Sequence, residues 1–277
     1  MDAPASTDIL RLPIHMSLRS KLNASGWLRK TILLRRSSDE AIRAFMRMVR
    51  PQATEHPLIR IGGDGDGGYL IPDDLAGIKA LFSPGVAETA DFEAEFARRN
   101  VPCYLADYSV EGPPVSSPLF HFEKKYLGPR TEGITITLDD WVARHAPSGD
   151  DLILQMDIEG AEYGVLLSAD QATLRRFRII VLELHELQEL WQPKGLELIS
   201  LMFTKLLTHF DVVHTHPNNC RPPQGYGDLL VPPVMEMTLL RKERSRTRTP
   251  TERLPHPLDR TNVPKLPDFP LPACWYR

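Results

Sequence analysis

The chain has 277 residues and a mass of 31.4 kDa, with 42% hydrophobic and 25% charged residues. These proportions exclude a disordered chain, a collagen and a coiled-coil rod, and fit one large domain or two small ones. The net charge of −3 divides into +6 over residues 1–50, −14 over residues 51–240 and +5 over residues 241–277, and a body this acidic repels a phosphate backbone, which argues against nucleic acid as substrate.

No run approaches the roughly 18 apolar residues that cross a bilayer. The N-terminus carries Asp2 and Asp8 and has no secretory signal pattern. Three scattered cysteines (Cys103, Cys220 and Cys274) offer neither a disulfide framework nor a metal knuckle. A cytoplasmic location is the expectation.

In chain order, residues 1–55 read as a helical N-terminal extension. Ser37 to Glu40 forms a capping box, and Ile42, Phe45, Met46 and Val49 follow at helical spacing until Pro51. That stripe is expected to pack on the main domain; the alternative is a basic amphipathic surface in peripheral contact with a membrane. Residues 56–241 alternate strand-like runs with helical patterns. Arg60 to Tyr69, with five glycines and two aspartates in ten residues, reads as a hairpin whose backbone can approach a ligand closely.

Strand Lys79–Ser83 leads to a helix over Glu88–Asn100. Strands Pro102–Ala106 and Ile134–Ile136 follow, then a helix Leu138–His145 capped by Thr137, a strand Leu152–Met156 and a helix Ala161–Phe177. Arg178–Leu184 is the strongest buried-strand signal, followed by a helix Gly195–His209 and strands Phe210–His214 and Met235–Arg241. This order predicts an α/β fold, doubly wound on an open and mostly parallel sheet, with ligands beyond the carboxyl ends of the strands. Residues 242–277, with three spaced arginines and then seven prolines, read as an extended, basic, partly disordered tail.

The residues at the strand ends carry the chemistry. Gly85 lies in a turn that opens a helix, where free N–H groups cradle a ligand; the Gly-x-Gly-x-x-Gly of a dinucleotide site is absent and Glu88 disfavours a diphosphate, so the turn suits a ligand without phosphates. Asp107 stands 22 residues after Gly85, the interval of an acid that accepts from ribose hydroxyls; the alternative is a plain turn cap. Asp157, Glu159 and Glu162 crowd the end of an apolar strand, where carboxylates need solvent, a partner or a use. Glu183 and His185 share one side of the next strand at period two, and a neutral imidazole there takes a hydroxyl proton near pH 7. His214, His216 and Asn219 form a loop suited to hydrogen-bonding a substrate; read instead as a His-x-His metal pair with Asp157, Glu183 or His185, they give a metal-dependent hydrolase. No metal is assigned.

Met156 to Tyr163 (Met-Asp-Ile-Glu-Gly-Ala-Glu-Tyr), preceded by Thr137-Leu-Asp-Asp-Trp141, resembles the FkbM-type methyltransferases, a branch of the class I S-adenosylmethionine-dependent fold. Asp66-Gly-Gly-Tyr69, Phe120-x-Phe122 with Leu127-Gly128, and His216-Pro-Asn-Asn219 resemble a subgroup of that family, over about residues 58–241. The single Gly85 departs from the Gly-x-Gly-x-Gly that many relatives of this fold show.

The resemblance implies a Rossmann-like, seven-stranded sheet and methyl transfer from S-adenosylmethionine to an oxygen of a sugar, glycan or other small acceptor. Gly85, Asp66, Gly67 and Gly68 would hold the methionine part and Asp107 the ribose. Asp157 would lie beside the transferring methyl, with His185 as the base. Glu159, His214, His216 and Asn219 would orient the acceptor. A third reading is a non-catalytic binding module on a degenerate methyltransferase fold.

Overall fold

The computed structural model describes residues 36–86, 89–146, 148–149 and 151–277. The expected helical extension is thus described only from residue 36 onward, and Glu88, the expected start of the first long helix, lies outside the described residues.

A seven-stranded sheet organises Ser37–Arg277, which forms one compact unit. Its strands are β1 (Ala80–Pro84), β2 (Cys103–Ala106), β3 (Phe120–Glu123), β4 (Leu152–Met156), β5 (Phe177–Leu184), β6 (Phe210–Pro217) and β7 (Met235–Arg241), in the spatial order β3-β2-β1-β4-β5-β7-β6. Every pairing among β1 to β5 is parallel, and β7 runs antiparallel to both β5 and β6. The apolar runs explain the centre: all residues of β4 and β5 are buried, as parallel strands covered on both faces require. Period-two alternation divides them. Ile180 and Leu182 face one layer with Phe82, Trp141 and Phe203, while Ile179 and Val181 face the other with Phe92, Phe96 and Tyr69. The expected doubly wound, mostly parallel sheet is therefore the observed one.

Helices α1 (Asp39–Met48), α2 (Asp91–Arg98), α3 (Leu138–His145), α4 (Glu162–Ser168), α5 (Gln171–Arg175) and α6 (Pro193–Leu206) surround the sheet. Thr137 caps α3 by accepting from the Asp140 N–H at 3.1 Å, as expected. Ser38 rather than Ser37 caps α1, accepting from Ala41 at 3.2 Å; Ser37 instead donates its N–H to the Trp191 carbonyl. The apolar stripe of α1 is buried, with Phe45 edge-on to Phe203 and to Trp275. That face is filled by the protein's own core and is not open to a lipid surface. No described helix is long and apolar enough to cross a membrane.

Three expectations meet a different structure. The third sheet strand is Phe120–Glu123, not Ile134–Ile136; Thr135–Ile136 pairs instead with Tyr126–Leu127 in a short ribbon beside the sheet. The expected helix over 161–177 breaks into α4 and α5, because Ala169 leaves helical geometry and the Asp170 N–H is taken by the Asp139 carboxylate. The tail is extended but docked: Thr249–Pro250 pairs with Gln52–Ala53, and Leu254, Leu271, Trp275 and Tyr276 are buried in the main core. The Arg60–Tyr69 segment is a hairpin turn, joining Leu58–Ile61 to Tyr69–Pro72.

Candidate active site

A cleft of about 610 Å³ opens beyond the carboxyl ends of β1, β2 and β4, where chain connections leave in opposite directions and ligands bind in open α/β sheets. Its size lies within the usual range for small-molecule sites. Gly85, Asp107, Asp157 and Glu159 all line it. Gly85 has φ +90°, and a Cβ there would stand 1.5 Å from the Asp157 carbonyl oxygen; only glycine allows β1 and β4 to end this close together. Asp107 is buried, and its Oδ1 accepts from the Ser109 N–H at 2.7 Å and the Ser109 hydroxyl at 2.6 Å. It is thus a turn cap and a cleft residue at once. The far wall is the ribbon around Tyr126, Leu127, Gly128 and Thr135, which the sequence reading does not assign to the site.

The hairpin loop meets the cleft only in part. Asp66 and Gly67 line a side cavity of about 40 Å³ together with Thr89, Gly85 and Asp157. Gly68 does not: a Cβ on it would lie 2.1 Å from the Gly63 carbonyl and 2.6 Å from an Arg60 guanidinium nitrogen. Gly68 serves the packing of its own loop, which Arg60 ties by donating to the Gly63 and Gly65 carbonyls, each at 2.8 Å.

At the cleft mouth the turn after β4 gathers charge. Glu159 sits at φ +56° and Gly160 at +101°. Glu162 reaches back from the start of α4 and accepts from the N–H groups of Ile158 at 3.0 Å and Gly160 at 3.2 Å. The same Glu162 oxygen lies 3.2 Å from Nδ1 of His185. Nε2 of His185 then faces Asp157 at 3.9 Å and Glu159 at 3.6 Å. Glu162, read from sequence as one of three crowded carboxylates, therefore orients both the turn and the imidazole.

Glu183, one strand along, accepts from Asn218 at 2.9 Å and from the Tyr69 hydroxyl at 3.3 Å. Burial pushes Asp157 up to about 8, with Glu183, Glu159 and Glu162 adding to it. Burial also lifts Glu183 to about 7, helped by Asp66. Burial alone would lower His185, but Glu162, Asp157 and Glu183 outweigh it and hold the imidazole at about 9. The imidazole expected to be neutral thus keeps its proton at pH 7, beside an Asp157 carboxyl that keeps its own.

His214, His216 and Asn219 are not in this cleft. β6 runs on to Pro217, and both imidazoles meet Asp259 of the tail, His214 Nε2 at 2.8 Å and His216 Nδ1 at 3.6 Å. His216 Nε2 lies 3.0 Å from the Arg260 carbonyl. Asn219 donates to the carbonyls of Val263 and Leu266, at 3.0 and 3.2 Å, and accepts from the Val263 N–H at 2.8 Å. These residues clasp the tail, so the expected acceptor loop is a structural fastening. The ligating atoms of Asp157, Glu159 and His185 lie within 4.8 Å of one another, and neither histidine of the His-x-His pair belongs to that group.

Residues 93–210 match the family model described as a methyltransferase FkbM domain. The matched segment contains Asp107, Asp157, Glu159 and His185 and stops short of the tail clasp. No curated protein matches the chain. Among solved structures, the crystal structure of a point mutant of the 16S rRNA (adenine(1408)-N(1))-methyltransferase from Catenulisporales acidiphilia matches at 11% identity, covering 66% of this chain and 98% of that one, with a TM-score of 0.28. A likeness that slight carries no argument.

Proposed function

We propose, from the match of residues 93–210 to the methyltransferase FkbM family, that the protein transfers a methyl group from S-adenosylmethionine to a hydroxyl of a sugar, glycan or related small acceptor. One observation carries this reading: Gly85, Asp107 and Asp157, from three neighbouring strand ends, line a single cleft. The donor set fits the cofactor. Asp107 offers a carboxylate to a diol, no cluster of cations suited to phosphates lines the described cleft, and the acidic mouth suits a ligand that carries positive charge.

S-adenosylmethionine, when bound, supplies the electrophilic methyl group. Asp107 holds the ribose hydroxyls, and Asp66 and Gly67 close the side of the cleft next to Gly85. The exposed Glu159 places negative charge at the mouth, which favours an uncharged or cationic acceptor over a phosphate backbone. His185 is assigned to the acceptor hydroxyl. With Nδ1 tied to Glu162, its Nε2 faces the mouth, and it accepts the hydroxyl proton once its own has left, an event favoured by positive charge in the cleft.

Calorimetric titration with S-adenosylhomocysteine tests the assignment. One site per chain is expected, with Asp107→Ala weakening it at least tenfold and His185→Ala leaving it within about twofold while abolishing methyl transfer. A thermal shift gives the same reading, since ligand at 100 times its dissociation constant adds about 2.7 kcal/mol. Absence of any shift would favour a binding module that has lost the cofactor.

A further inference from the structure

The group at the cleft mouth offers more than a base. His185 is 8% exposed, and its Nδ1 is committed to Glu162 at 3.2 Å. Nε2 makes no hydrogen bond among the described residues, and points between the carboxylates of Asp157 and Glu159 at 3.9 and 3.6 Å. Those separations are too long for hydrogen bonds.

They are instead within about 1 Å of the roughly 3 Å that separates adjacent ligands around an octahedral cation with bonds of about 2.1 Å. The Glu159 side chain is 85% exposed, so it can close that gap by rotation. The Glu162 contact completes a familiar arrangement, in which a ligating imidazole donates its second N–H to a carboxylate that fixes tautomer and ring orientation. Glu162 is itself pinned by the Ile158 and Gly160 N–H groups, so the orienting carboxylate is rigid.

We propose that Asp157, Glu159 and His185 bind one divalent cation at the mouth of the cleft, where its remaining positions hold the acceptor hydroxyl. Two carboxylates and one imidazole are the mixed oxygen and nitrogen donors that suit manganese, with zinc as the softer competitor. The cation and the Nε2 proton exclude one another. With the cation bound, His185 is a ligand in place of the base and positions the acceptor: the O–H bond of the bound hydroxyl breaks, its electron pair stays on the oxygen held by the cation, and the proton passes to solvent. The inference rests on the methyltransferase reading for its purpose, but not for its test.

Manganese binding to the chelator-stripped full chain, followed by the loss of the free-ion paramagnetic resonance signal, measures the site directly. One ion per chain is expected. Glu159→Gln, a change on an exposed side chain, weakens it at least tenfold; His185→Ala abolishes it; Glu162→Gln weakens it 10–100-fold by loosening the imidazole. Absence of saturable binding at millimolar manganese, or binding that survives both Glu159→Gln and His185→Ala in folded protein, overturns the proposal. Parallel titration with S-adenosylhomocysteine separates the two readings. Cofactor binding without manganese binding removes the cation alone, whereas manganese binding without cofactor binding keeps the site and removes methyl transfer.

Discussion

Asp157 illustrates how a single residue carries opposing demands. Its carboxyl is raised from 3.8 to about 8, first by burial and then by Glu183. A raised folded value means the folded state holds the proton better than the unfolded chain does. The stability contributed is complete below about 4 and is lost as pH climbs toward 8. Asp157→Asn removes that loss. The ligand-free variant should therefore melt above the wild type, by at least about 2–4 °C per kcal/mol recovered, with the gap widening from pH 5 to pH 8 and level beyond it. Parallel melting curves that keep a constant gap across that range would show that Asp157 is not the strained group. The same variant should bind the cofactor product more weakly, the usual exchange of stability against function at a crowded site.

Gly85 makes the complementary case. Its φ of +90° and the 1.5 Å approach of a would-be Cβ to the Asp157 carbonyl leave no room for a side chain. Gly85→Ala should cost about 2–3 kcal/mol in urea unfolding and shift the Asp157 turn, so that cofactor affinity falls with it. Wild-type stability in that variant would mean that the strand ends separate easily.

At the scale of elements, the tail clasp is the piece most open to test. Asp259 is buried against His214 and His216. Burial alone would raise its pKa, but the hydrogen bonds and charges of the two imidazoles hold it well below the usual carboxylate range. Burial would likewise lower His216, yet Asp259 and Glu236 hold it up. The depressed carboxyl contributes above about 3.8 and is lost below it; the raised imidazole contributes below about 6.5 and is lost as pH rises through its folded value. The clasp is tightest in the mildly acidic window between. Asp259→Asn breaks a buried pair, at a cost of about 3 kcal/mol. Trypsin should then clip after Arg253 or Arg260 at least tenfold faster than in the wild type at pH 7. Equal clipping rates would show that the apolar contacts alone keep the tail in place.

The same elements show what can and cannot be read in advance. Helix Leu138–His145 and strands Leu152–Met156 and Met235–Arg241 match to the residue, because a Thr cap and unbroken apolar runs are local signals. Phe120–Glu123 escapes a reading by pattern. Four residues at a sheet edge carry little periodicity, and their identity comes from pairing with Cys103–Ala106. Within the site, Gly85, Asp107, Asp157 and Glu159 are legible as residues at strand ends, and the topology brings them to one cleft. His214 and His216 mislead because their partner, Asp259, lies more than 40 residues away in a segment whose composition resembles a loose tail. Nothing local to Thr215 tells whether its neighbours face a ligand or the chain's own end.

For the whole molecule, the decisive fact is that both ends of the described chain meet on one face of the sheet. Phe45 of α1 packs edge-on against Phe203 of α6 at 5.5 Å and against Trp275 at 6.3 Å. Trp275 is fully buried, and its indole N–H donates to the Leu230 carbonyl at 2.8 Å. Because α1, α6 and the last residues share one apolar cluster, residues 37–277 should unfold as a unit. Trp275→Ala leaves a large void and removes the indole hydrogen bond to Leu230, for a cost of about 3–5 kcal/mol. Phe45→Ala, beside the same void, should cost a similar amount alone.

Because the two rings contact each other, the second substitution finds part of its packing already gone. The double variant should therefore lose less than the sum of the two, with a coupling of about 1 kcal/mol or more. A double-mutant cycle in urea, read by far-ultraviolet circular dichroism and by cofactor-product binding, measures it. Both probes should report one transition in the wild type. Strict additivity, or a tail that melts ahead of the sheet in the wild type, would mean that the tail is an appendage and that the cleft stands without it.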